Sequence, residues 1–101
     1  MCGINGFTYR DGELLRQMHQ QTRHRGPDDD GFFETETISF AHNRLSIIDV
    51  SSGGHQPMVS SDCRYTLVFN GEIYNYRELR QELEGMGERF AAVSDTEVLL
   101  R

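Results

Sequence analysis

A cysteine stands second in the chain, behind Met1 and ahead of Gly3, in the opening MCGINGF. If Met1 is removed, as a small second side chain favours, Cys2 carries a thiol and a free α-amine on one residue. An α-amine has a reference pKa of about 8, close to the roughly 8.5 of a thiol, so it can take the thiol proton and later return it to a leaving group. That combination is nucleophile and base in one residue, with no histidine required. Gly3 lets the backbone pass close to a bound substrate. The alternative is a cysteine that falls behind the initiator by chance.

A thiolate attacking an amide builds negative charge on the carbonyl oxygen, and that charge needs hydrogen-bond donors placed in advance. In VFNGEIYNY, Asn70 offers a side-chain NH₂ and Gly71 a backbone N–H that no Cβ obstructs. Asn-Gly after an apolar run is also a strong signal for a type I′ hairpin turn. Against the hairpin, few residues separate Gly71 from a helix start near Asn75, leaving little room for a returning strand.

The rest of the chain must position these groups. Its 101 residues can build one domain. With 37% hydrophobic and 26% charged residues and two prolines, the composition is that of a folded protein. The net charge of −6 argues against nucleic acid as a partner. All ten basic residues are arginine, which excludes a Schiff-base lysine and a P-loop lysine from this chain. No signal peptide is visible, and no apolar run approaches the roughly 20 residues of a membrane span. Cys2 and Cys63 make at most one bridge, so a cytoplasmic protein with reduced thiols is expected.

Residues 2–9 read as a strand, and 11–27 as a helix capped by Asp11, with Leu14, Leu15 and Met18 on its apolar face and Gly26–Pro27 as its stop. Asp28–Asp30 and Gly31 read as a solvated turn. FFETETISF and AHNRLSIIDV suggest two strands, SSGGHQPM a loop, and YTLVFN a strand covered on both faces. A second helix follows, with Tyr76, Leu79, Leu83 and Met86 in one stripe, Asn75 and Glu78 as a capping pair, and Gly85 and Gly87 ending it. RFAAV suggests a short strand. In SDTEVLLR, Ser94 and Glu97 have capping-box spacing. Only about two turns of that helix fit before residue 101, so the chain reads as a piece of a longer domain.

Together MCGI, RHRGPDDDG, HNRLSIIDVSSGGHQPM, FNGEIYNYRELRQEL and SDTEVLL, in this order along the whole chain, resemble the glutaminase domain of glutamine-hydrolysing asparagine synthetase. That domain belongs to the class II glutamine amidotransferases, which are N-terminal-nucleophile hydrolases. The resemblance implies an α+β fold, part of an αββα sandwich that stops before its later strands. By this resemblance Cys2 is the nucleophile, with its α-amine as base after Met1 removal, and Asn70 and Gly71 form the oxyanion hole. Arg44 matches the arginine that holds the glutamine α-carboxylate, where a planar guanidinium suits a two-oxygen anion. Glu72 and Asp95 match the groups that receive the α-ammonium. Without the family, Arg44 would read as a strand arginine in a surface ion pair, and Asp95 as a favourable charge at a helix N-terminus.

The implied substrate is glutamine. The implied partner is a C-terminal synthetase domain that uses ATP and Mg to make asparagine from aspartate; neither cofactor is expected in this chain, and a homodimer is compatible with the reading. Two other readings stand beside it: a relative that amidates another carboxylate such as a sugar acid, and a non-catalytic interaction or regulatory piece. His24, His42 and His55 are too scattered for a metal site. Cys63 reads as a loop or strand-end thiol, and His55, Gln56 and Pro57 resemble a family loop with a structural role.

Overall fold

The computed structural model describes residues 2–46 and 52–101. The proposed removal of Met1 and residues 47–50 of the second expected strand lie outside them. Strands β1 (Gly3–Phe7), β2 (Asp29–Glu34) and β3 (Ser39–Arg44) form an antiparallel sheet in the order β1-β3-β2. A small ladder pairs β4 (Met58–Val59) with β5 (Thr66–Leu67). Helices α1 (Gly12–Gln21), α2 (Tyr76–Gly85) and α3 (Asp95–Leu100) complete a mixed α and β architecture. Among the described residues, no helix is long and apolar enough to cross a membrane.

Helix α1 starts where the sequence indicates, with Asp11 Oδ1 accepting from the Leu14 N–H at 3.0 Å. It ends at Gln21, and a 3₁₀ turn at Arg23–Arg25 carries the chain to Gly26. Leu15 is its fully buried anchor. Polar groups fasten the rest of the helix to the sheet: His19 Nε2 lies 2.8 Å from Asp30 Oδ1, and Thr22 donates to Asn43 Oδ1 at 2.6 Å.

Of the expected turn at Asp28–Gly31, only Asp28 is a bend; Asp29 to Gly31 instead start β2, with Asp29 opposite Arg44 and Asp30 opposite Asn43. The carboxylates are tolerated in the ladder because each finds a partner on its own face of the sheet, His55 for Asp29 at 2.6 Å and His19 for Asp30. The hairpin turn falls inside FFETETISF, where the Thr35 N–H donates to the Ile38 carbonyl at 2.8 Å. RFAAV is no strand, because Glu97 takes the Ala91 and Ala92 amides at 2.8 Å each. YTLVFN shrinks to the two residues of β5 and is half-buried, since the backbone of Phe69 turns out of the ladder towards side chains.

Asn75 sits at the start of α2 but makes no side-chain cap bond, because its φ of −98° and ψ of 28° are not the extended geometry of a capping residue. At the other end Gly87 takes φ +98°, and the Glu88 N–H closes back on the Leu83 carbonyl at 3.0 Å. The stripe of α2 is half-buried at Tyr76, Leu79 and Leu83, while Met86 is exposed. Helix α3 is capped as the sequence indicates, Ser94 Oγ accepting from the Glu97 N–H at 3.3 Å.

The two faces of the main sheet are used differently. One face meets α1 through Asn5, Asp30 and Asn43. The other carries Ile4, Gly31, Phe40 and His42, and the segment around Gln56 and Phe69 covers part of it. Ile4, Gly6, Ile38, Phe40 and Val68 bound an apolar hollow of about 440 Å³ on this side.

Candidate active site

Antiparallel pairing places Gly3 opposite Asn43, so Cys2 just before β1 and Arg44 at the end of β3 meet at one end of the sheet. The half-buried thiol lies against the next residue of that strand: the Leu45 N–H donates to Sγ at 3.3 Å, and Sγ lies 3.7 Å from the Leu45 carbonyl oxygen. Arg25 Nε donates to the Cys2 carbonyl at 3.3 Å, pinning the first peptide unit.

Arg44 is a strand arginine, as its sequence context suggests, but it is only 7% exposed and turned into the protein. Its guanidinium packs against Gly54, where a Cβ would overlap the terminal nitrogen. The close approach therefore depends on glycine at 54.

Asn70, Gly71 and Glu72 follow β5 in irregular backbone, and the chain proceeds to α2 at Tyr76 with no returning strand. The Asn-Gly hairpin is therefore not formed. The Phe69 N–H donates to Gln56 Oε1 at 2.6 Å, and the Phe69 carbonyl accepts from His42 Nε2 at 3.3 Å. Because a carbonyl only accepts, that contact fixes the proton of neutral His42 on Nε2. Burial pushes the His42 imidazole below its ordinary value of 6.5; the bond to Phe69 opposes the shift, and the charges of His55 and Arg44 add to it.

Asp95 stands in the first turn of α3, buried at 6% exposure. Its Oδ2 accepts from the Ile73 N–H at 3.0 Å, tying α3 to the segment that carries Asn70 to Glu72. The favourable position at a helix N-terminus and an aim towards the cavity coexist.

All six residues singled out in the sequence, Cys2, Arg44, Asn70, Gly71, Glu72 and Asp95, line one cavity of about 340 Å³. That volume is in the range of small-molecule sites. One guanidinium and two carboxylates ring a thiol, a charge pattern suited to a zwitterion bearing an uncharged group that the thiol can attack. Leu45, Gly54, Gln56, Phe69, Tyr74, Ser94 and Thr96 complete the wall. Leu45 escapes sequence reasoning because it acts through its backbone. Gln56 reads from the sequence only as part of a loop with a structural role; its place in the wall, at 5% exposure, is set by Phe69 and Thr96, partners distant in sequence.

Among the described residues, no group of three or more His, Cys, Asp or Glu could hold a metal ion. His55 pairs with Asp29, and exposed Cys63 lies outside the cavity.

Residues 1–101 match the glutamine amidotransferase domain family. The chain is 52% identical over 108 residues to glutamine-hydrolyzing asparagine synthetase 1 of Bacillus subtilis, covering 99% of this chain and 17% of the relative. It is 42% identical over 106 residues to glutamine-hydrolyzing asparagine synthetase B of Escherichia coli, covering 99% and 19%. With glutamine-hydrolyzing asparagine synthetase 1 of Saccharomyces cerevisiae the identity is 40% over 105 residues, covering 99% and 18%. The chain thus spans less than a fifth of the length of these curated relatives.

Proposed function

The chain belongs to the glutamine amidotransferase domain family, and from that premise we propose that its cavity hydrolyses glutamine, with Cys2 as nucleophile. The observation that carries this reading is the convergence of Cys2, Arg44, Asn70, Gly71, Glu72 and Asp95, drawn from position 2 to position 95, on one cavity. Arg44 holds the substrate α-carboxylate, while Glu72 and Asp95 receive the α-ammonium. The side-chain carboxamide then extends to the thiol.

With Met1 removed, the α-amine takes the thiol proton and Sγ attacks the carboxamide carbon. Negative charge moves to the oxygen, held by the Asn70 NH₂ and the Gly71 N–H; one such donor is worth roughly 3 to 4 kcal/mol of barrier. The amine returns the proton to the nitrogen as the C–N bond breaks and ammonia leaves. Water, deprotonated by the same amine, attacks the thioester carbon, and glutamate and the thiol are released. The chemistry needs Cys2 as a free thiol, which suits a reducing cytoplasm.

The wider reading places residues 1–101 as the N-terminal portion of a glutaminase domain with the αββα sandwich of N-terminal-nucleophile hydrolases. The uncovered apolar face at Ile4 and Phe40 supports it, because a second sheet would bury that surface. In the full-length protein the ammonia passes to a synthetase domain, where ATP and Mg activate aspartate and asparagine forms. The names and greater length of the matched relatives support that assignment.

A glutamine analogue with an electrophilic δ-carbon tests the site. The expected adduct lies on Cys2 in a chain whose mass lacks Met1. A label on another residue, or full activity with Met1 retained, contradicts the reading.

A further inference from the structure

We propose that Gln56 is a positioning residue that sets the Asn70–Gly71 segment against the first turn of α3, an inference that rests on the glutaminase reading of the cavity. Its side chain is buried between these two walls. Oε1 accepts from the Phe69 N–H at 2.6 Å, and Nε2 donates to Thr96 Oγ1 at 3.2 Å. The orientation of the amide is dictated by its partners, since the Phe69 N–H needs an acceptor and only oxygen provides it.

Phe69 directly precedes Asn70 and Gly71, and Thr96 directly follows Asp95. One planar group therefore fixes the distance between the oxyanion donors and a carboxylate assigned to the substrate ammonium. The Phe69 carbonyl is held from the other side by His42, so both backbone groups of that residue are committed. Gln56 is itself seated on β2: its carbonyl presses on Gly31, where a Cβ would overlap it. The sheet that carries Cys2 and Arg44 is thereby connected to both remaining walls of the cavity through one side chain. A glutamine that only filled a buried polar gap would influence stability; this placement also separates turnover from binding.

Three variants in the full-length protein test the assignment: Gln56→Ala, Thr96→Val and Thr96→Ser. Glutamate release is followed over a range of glutamine concentration, and hydrogen exchange is read by mass spectrometry over residues 66–72. Gln56→Ala is expected to lower kcat roughly tenfold or more, because small misplacement of reacting groups is costly, and to raise exchange in that peptide. Thr96→Val is expected to raise KM several-fold with little change in kcat, and Thr96→Ser to restore KM.

Native kcat and native exchange in a folded Gln56→Ala protein would overturn the proposal. Equal KM values in the two Thr96 variants would do the same, and this pair decides the matter if Gln56→Ala does not fold. Should the native protein release no glutamate, the glutaminase reading fails separately, and exchange over 66–72 still reports whether Gln56 holds the segment.

Discussion

The Leu45 N–H donates to the Cys2 sulfur at 3.3 Å, joining residues 43 positions apart. The bond holds the thiol at the end of β3 beside Arg44. The Cys2 thiol and the Arg44 guanidinium are thus set by one strand pairing rather than by two loops.

Replacing Arg44 with Ala removes the cation assigned to the substrate carboxylate. A buried charge-assisted contact of about 2 to 3 kcal/mol corresponds to a rise of roughly 30- to 140-fold in KM for glutamine. Steady-state kinetics should show KM changing more than kcat; an unchanged KM removes Arg44 from this role.

Gly54→Ala probes the same guanidinium without touching its charge. The new Cβ would overlap the Arg44 terminal nitrogen, so the side chain must move. The expected outcome is a KM raised by roughly tenfold, the size of about 1.4 kcal/mol of lost binding. A variant that binds glutamine as well as the native protein would show that Arg44 need not sit where it does.

Asp95→Asn keeps an oxygen to accept from the Ile73 N–H but loses the charge. If that charge receives the substrate ammonium, KM should rise by roughly 10- to 100-fold while thermal stability changes little. Loss of stability with unaltered KM would assign Asp95 to α3 alone.

His42 gives a pH dependence of stability whose sign follows from its depressed pKa. The unfolded chain binds the proton near 6.5, while the folded protein resists it to lower pH. Stability from this residue is therefore full above 6.5, falls as pH drops towards the lowered folded value, and is flat below that. Denaturant midpoints between pH 8 and 5, conditions chosen to bracket about 6.5, should fall more steeply for the native protein than for His42→Gln. Parallel curves would contradict the shift.

Much of this site is legible in the sequence because it rests on groups with few substitutes. A thiol beside a prospective α-amine, an Asn-Gly pair and a capped helix with Asp95 in its first turn each carry their chemistry in residue type. What is not legible depends on distant partners. Asp29 and Asp30 look like a turn until His55 and His19 are seen to lie within hydrogen-bond distance of them on opposite faces of the sheet. RFAAV looks like a strand until Glu97 takes its amides, and YTLVFN looks like a longer strand until Gln56 and His42 take the backbone of Phe69. The last two misses are side chains competing with a ladder for backbone hydrogen bonds, and the first is a ladder supported by side-chain partners distant in sequence; local pattern reveals neither.

The most direct test of the central claim is the rate of glutamate release from glutamine by the full-length protein and by its Cys2→Ala variant, measured side by side. With Cys2 as nucleophile, the variant should fall by about 10⁴-fold or more, since removing the attacking group disables the whole assembly. Equal rates in the two proteins would contradict the account.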